Sequence, residues 1–169
     1  MICQVNDTVL YSAGLCKIAE ITNKEIGGQH ADYYVLKPLY DEKTSIYIPV
    51  DNERATTKLR RILSAEEIRT LIKTMPGEDT IWIENDAVRH DRYREIIAHG
   101  DRAELVQLIK TLYQRQQERQ AQGKKLHVVD ERFMKSAEKI LYEEFAHVLK
   151  LELTQVLPFI VEQIEVEAK

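Results

Sequence analysis

The sequence predicts an α+β chain, with a small antiparallel β-barrel first and an all-α helical domain after it. Three observations point there. The first fifty residues hold short runs with a side-chain period of two, punctuated by Gly and Asn. The tetrapeptide Ser64-Ala65-Glu66-Glu67 is a capping box that marks the change to helical spacing. From Asn85 onward apolar residues recur every three or four positions. The expected segments are a barrel over 1–63, a linker helix over 64–77 and a helical domain over 78–169.

The run Val5 to Tyr11 reads as the first strand, with Val5, Asp7, Val9 and Tyr11 on one face. Gly14 turns the chain into a second strand, Leu15 to Ile21. The polar stretch Thr22–Gln29 reads as the connection of a hairpin, because Gly27 and Gly28 supply positive φ without steric cost. A third strand runs from about Ala31 toward Tyr40 and ends at Pro38, which has no amide to give to a ladder. The fourth, Thr44–Val50, alternates Ile46, Ile48 and Val50 inward with Ser45 and Tyr47 outward. A short fifth strand is expected over Lys58–Ile62.

Helices follow. Ser64 caps one that carries Ile68, Leu71, Ile72 and Met75 at helical spacing and stops at Pro76-Gly77. Asn85 or Asp86 opens the next, in which Val88, Ile96 and Ile97 are the apolar positions and Gly100 is the stop. Asp101 and Glu104 cap a third, with Leu105, Val106, Ile109, Leu112 and Tyr113 on one stripe, reaching roughly Gln120. Beyond Gly123 and Lys124-Lys125, Asp130 is expected to cap a helix whose inward residues include Phe133, Met134, Ala137, Ile140, Leu141, Phe145 and Val148. From Thr154 a last helix carries Val156, Ile160 and Ile164. Pro158 means that it either starts near Leu157 or kinks.

Composition bounds the function. With 44% hydrophobic and 31% charged residues over 169, the chain can bury one core or two small ones. The net charge is −4, and its distribution matters more. Basic and acidic residues balance at ten and ten over 1–75 and at nine and nine over 76–125, but stand at five and nine over 126–169. A nucleic-acid contact therefore needs a local basic patch and not the overall field. Cys3 and Cys16 are the only cysteines and read as small buried thiols on neighbouring strands, too few for a structural zinc site. The five histidines have no metal-ligand spacing and read as surface or helix-edge residues. With no signal-peptide pattern and no membrane-length apolar stretch, a cytoplasmic protein without a membrane partner is expected. No phosphate loop, nucleophile elbow or acid/base pair is present, and Glu66, Glu67, Glu143 and Glu144 read as capping or solvated-face residues. An enzyme is the weakest reading, and no catalytic residue, metal, cofactor or small-molecule substrate is expected.

The order of barrel, helix and helical bundle, with Val5-x-Asp7-x-Val9-x-Tyr11, Gly14, Tyr34-Val35-Leu36-Lys37, Ile48-Pro49, Gly100-Asp101 and Leu112-Tyr113-Gln114-Arg115, resembles the CarD/CdnL-type bacterial transcription regulators over nearly the whole chain. The resemblance implies an N-terminal Tudor-like domain, shared with the transcription-repair coupling factor, that binds the β subunit of RNA polymerase. It implies polymerase contacts at Lys24, Ile26 and Tyr47. It also implies a helical domain that touches promoter DNA at the upstream edge of the melted region. Asn6 stands where the family usually has Gly, and Tyr47 where relatives often have Arg.

Trp82, the only tryptophan, matches the residue that the family wedges into the minor groove, an established use of apolar side chains. Read without the family, a Trp between Ile81 and Ile83 just ahead of a helix is equally a staple packed on the bundle. The basic candidates for phosphate contact are Arg89, Arg92 and Arg94, with Lys124 and Lys125. Arg89 and Arg92 share a helix face, and Arg94 is turned about 200° from Arg92. The leading reading is a polymerase-tethered regulator that stabilises the open promoter through sequence-independent DNA contacts. The alternative is a protein–protein adaptor that binds no DNA, and convergence or dispersal of those five basic residues separates the two.

Overall fold

The structure, a computed structural model, describes residues 3–11, 14–41, 43–77 and 79–168, with side chains as far as Ile164. The chain forms two compact units, residues 1–62 and 63–169. The α+β class expected from the sequence is what forms.

In the first unit β1 (Thr8–Tyr11), β2 (Gly14–Ile26), β3 (Gln29–Pro38), β4 (Ile46–Pro49) and β5 (Leu59–Arg61) make one antiparallel sheet in the order β4-β3-β2-β1-β5. β4 and β5 are its edges and the sheet is not closed, so it approximates a barrel only. Its core brings together Val9, Cys16, Ile18, Tyr34, Leu36 and Ile48. Cys3 and Cys16 are both buried free thiols, but Cys3 precedes β1 and does not lie on a strand.

Two strand boundaries differ from expectation for physical reasons. Val5 and Asp7 do not extend β1. Asn6 has φ +78°, and the Gln4 and Asp7 amide and carboxylate groups close a turn around it, with Gln4 N–H donating to Asp7 Oδ2 at 2.8 Å. The stretch Thr22–Ile26 is strand and not loop, since it pairs in register with Gln29–Tyr33 and only Gly27-Gly28 turns, at φ +62° and +82°. Two consecutive positive φ values are what a tight two-residue hairpin requires. That arm is polar because most of its side chains are solvated, and polarity had masked its pairing. A register shift between Ile18 and Glu20 marks a bulge just before it. A short α1 (Glu53–Thr56), capped by Asn52, precedes β5 and went unread in the sequence.

The second unit contains α2 (Ala65–Thr74), α3 (Asp86–His99), α4 (Arg102–Ala121), α5 (Val128–Leu149) and α6 (Leu153–Ala168). The capping box forms at Ser64, with Glu67 Oε1 accepting from the Ser64 amide at 3.2 Å. Residues Met75–Gly77 add one 3₁₀ turn. Ile68 and Ile72 of α2 are fully buried among Val106, Leu141 and Phe145, so this helix is part of the bundle core. Asn85 caps α3 and Gly100 ends it at φ +67°. α6 starts at Leu153, which leaves Pro158 inside the helix and removes the start near Leu157.

Two expectations about charged residues are corrected here. Asp130 does not cap α5; that helix begins at Val128, and Asp130 lies in its first turn, buried. Glu143 and Glu144 are not solvated. Both are buried, and Glu144 accepts from Arg102 Nε at 3.0 Å, from Arg102 Nη2 at 2.6 Å and from the Leu63 amide at 2.9 Å.

Candidate functional site

On the sheet, register decides which side chains meet. Lys24 pairs with Ala31, Ile26 with Gln29 and Tyr47 with Val35, so alternation directs Lys24 and Ile26 to one face. Lys24 Nζ lies 4.5 Å from the Tyr47 ring centroid and 3.4 Å from its hydroxyl, and Tyr33 meets the same ring edge-on at 6.4 Å. Ile26 at the hairpin end is 43% exposed and Tyr47 39%. All three expected contact residues are solvent-accessible, and Lys24 and Tyr47 touch. Ile21, exposed on the opposite face of the same arm, was not singled out from the sequence.

The second cluster is built on the segment that precedes α3. Trp82 is half-buried against the helical core. Its indole N–H donates to Glu84 Oε1 at 3.0 Å, and two guanidinium carbons lie over its ring, that of Arg89 at 4.3 Å and that of Arg115 at 4.6 Å. Such cation–ring contacts are favourable, more so where water is excluded.

Arg89 is not a surface residue. It is 3% exposed and occupies the core stripe of α3 together with Tyr93 and Ile96, where the sequence had suggested Val88; that valine is 55% exposed. Its Nε donates to Asp130 Oδ1 at 3.1 Å and its Nη2 to Asp130 Oδ2 at 3.0 Å, while Nη1 reaches the Ile83 carbonyl and Asp86, each at 2.9 Å. Burial by itself lowers the Arg89 pKa, but the hydrogen bonds to Asp130 and Asp86 more than reverse this, and the net shift is upward. His90 Nε2 approaches Asp130 Oδ1 at 3.1 Å and its ring packs on Phe133, so this histidine is largely enclosed.

The remaining arginines of α3 go elsewhere. Arg92 donates to Glu104 of α4 at 2.8 Å and to Glu95 at 3.3 Å, bonds that raise its pKa. Arg94 pairs with Asp91 at 2.6 Å and lies over Phe133. Arg89, Arg92 and Arg94 thus have separate partners and form no common phosphate row. Lys124 and Lys125 are exposed in the connection after α4, which is tied to Arg119: the Lys124 amide donates to the Arg119 carbonyl, and Arg119 Nε donates to the Lys125 carbonyl.

A cleft of about 160 Å³ beside Trp82 is lined by Arg89, Arg115, Arg119 and His127 together with the carboxylates of Glu84, Asp86 and Asp130. Arg115 and Arg119 were missed in the sequence. Their four-residue spacing on α4 places them on one face and was the available signal. Among the described residues no group of three or more His, Cys, Asp or Glu is arranged to hold a metal ion. Nor is any of their helices long and apolar enough to cross a membrane.

Comparison with known protein families gives two matches. Residues 4–63 match the CarD-like/TRCF RID domain, and residues 70–160 match the CarD, C-terminal domain.

Proposed function

We propose a function from one premise: the chain belongs to the CarD-like family, whose members are non-enzymatic transcription regulators that interact with RNA polymerase. On our reading residues 1–63 form the polymerase-binding domain, residues 64–77 lead out of it and residues 78–169 form the DNA-contacting domain. The barrel-like sheet binds the β subunit by adding a strand to an open edge. Main-chain bonds then supply affinity, and Lys24, Ile26 and Tyr47 supply specificity. The helical unit contacts promoter DNA at the upstream edge of the bubble, without reading its sequence, and prolongs the open complex.

The observation that carries the DNA contact is the neighbourhood of Trp82. A half-exposed indole shares its cleft with Arg119 as well as with Glu84 and Asp86, and Arg119 together with Lys124 and Lys125 has no carboxylate partner among the described residues, whereas Arg115 is paired with Glu118. An unpaired arginine in the cleft of an aromatic ring, followed in the chain by two exposed lysines, suits a phosphate backbone flanked by a groove. Arg89 enters this reading as a support of Trp82. Arg92 and Arg94 enter as peripheral charges, already neutralised by Glu104 and Asp91. The dispersal of Arg89, Arg92 and Arg94 onto separate carboxylates favours a second reading, an adaptor that docks on polymerase and binds no DNA.

The test uses the full-length chain and its Ile26→Glu variant with RNA polymerase. Co-purification of the wild type with the β subunit, and its loss in a variant with unchanged circular dichroism, is the expected result. Binding retained by the folded variant removes Ile26 from the interface. A wild-type chain that binds polymerase but leaves open-complex lifetime unchanged selects the adaptor.

A further inference from the structure

We propose that Asp130 is a positioning residue for Trp82, acting through Arg89. The proposal rests on the reading that Trp82 contacts DNA, but its physical basis is independent of that. Trp82 lies in residues 79–85, a stretch with no regular secondary structure, so nothing in a ladder or helix fixes its direction. The ring itself meets Glu84 at its N–H and Arg115 over its face, both at the surface, and two buried side chains hold the backbone on either side of it. On one side the Ile81 amide donates to Thr111 Oγ1 of α4 at 2.8 Å. On the other the Ile83 carbonyl accepts from Arg89 Nη1 at 2.9 Å, while the same guanidinium lies 4.3 Å from the indole centroid. The backbone is held on both sides of the tryptophan, and its ring is backed by a planar cation.

That cation stays in place because Asp130 holds it. The carboxylate is 2% exposed and engages Nε and Nη2 with one oxygen each, which leaves Nη1 for the Ile83 carbonyl and for Asp86, whose own carboxylate is 71% exposed and so holds the cation less firmly. A two-pronged bond of this kind fixes the plane of the guanidinium as well as its place. A lysine satisfies the charge of Asp130 but not the plane, the second bond or the stacking. A buried ion pair is poor evidence of a gain in stability over apolar packing, so what this one contributes is direction. A ring held in its working direction loses less freedom when it enters a groove.

The chain contains one tryptophan, so fluorescence excited at the red edge of the indole band, beyond the absorption of its eight tyrosines, reports Trp82 alone. Asp130→Asn and Arg89→Lys are compared with the wild type at 25 °C by circular dichroism, fluorescence anisotropy and acrylamide quenching. The heparin-challenged half-life of open complexes on a duplex promoter fragment with RNA polymerase is measured alongside. The expected result is native helical content, a two-fold or greater rise in the quenching constant, lower anisotropy and a several-fold shorter half-life. Native quenching and anisotropy in a folded Arg89→Lys chain overturn the proposal, whatever the melting temperature, because a purely structural role moves stability and not the ring. Should Asp130→Asn fail to fold, Arg89→Lys decides. Raised quenching with an unchanged half-life leaves Asp130 as the positioning residue and removes Trp82 from the DNA contact.

Discussion

Glu143 shows what a buried carboxylate does to this fold. Desolvation pushes its pKa up, and Lys139 only partly offsets the shift. A carboxyl group whose folded pKa exceeds its unfolded value binds protons more tightly when folded, so its contribution is most favourable below the unfolded value near 4.5 and is lost as pH rises through the folded value. At neutral pH the ionised group therefore opposes folding. Glu143→Gln is expected to raise the melting temperature at pH 7 and to leave it nearly unchanged at pH 4, as followed by thermal denaturation at both pH values. Equal shifts at the two pH values would show that the charge is not the cause. Residues of this kind were the least legible in the sequence. Glu143 and Glu144 read as capping or solvated-face residues, Arg89 as a phosphate contact and Asp130 as a helix cap, because charge ordinarily marks solvent or a helix end. For Arg89 and Asp130 a partner brought 41 positions from another helix makes burial tolerable, and one-dimensional spacing carries no sign of it.

Elements were legible wherever a local device fixes them. Ser64, Asn85 and Asp101 each accept a bond from the amide three residues on, and Gly100 adopts the left-handed cap, all as the local sequence indicates. Strand ends were harder. In β2 the polar arm Thr22–Ile26 continues past the core, so alternation of apolar and polar residues ceases while backbone pairing does not. The start of β1 lies later than alternation indicates because Asn6 turns the chain at φ +78°. Asparagine tolerates this region better than other side-chain-bearing residues, and left-handed backbone costs an ordinary L-residue about 1–2 kcal/mol. Asn6→Ala should lose about 1 kcal/mol of stability in urea unfolding, whereas Asn6→Gly should stay within a few tenths. A neutral Asn6→Ala would mean that the turn relaxes without strain.

For the whole molecule the proposed DNA contact raises the question of how a chain of net charge −4 would engage DNA at all. Attachment to polymerase raises the local concentration of a weak contact, so a few unpaired cations suffice where a free binder needs many. The family order of sheet and helices was readable from motifs spread over most of the chain, but which cations remain unpaired was not. That depends on side chains meeting across helices, as Arg92 meets Glu104. The unpaired set centres on α4 and the connection after it, and this gives the last prediction. Arg119→Ala/Lys124→Ala should weaken binding of polymerase-tethered protein to promoter DNA alike on different sequences and lower the salt dependence by about two charges' worth, whereas Arg115 is already paired with Glu118 at 3.3 Å. Arg92→Ala/Arg94→Ala should do much less, because removing an arginine already neutralised by Glu104 or Asp91 frees an acid and changes little of the field at Trp82. The measurement is open-complex affinity against salt concentration for the two double variants on two unrelated promoters. A steeper loss for the α3 pair would return the phosphate contact to Arg92 and Arg94. Equal insensitivity of both pairs would support the adaptor, since a helical unit that touches phosphates cannot lose two cations from that surface without a change in salt slope.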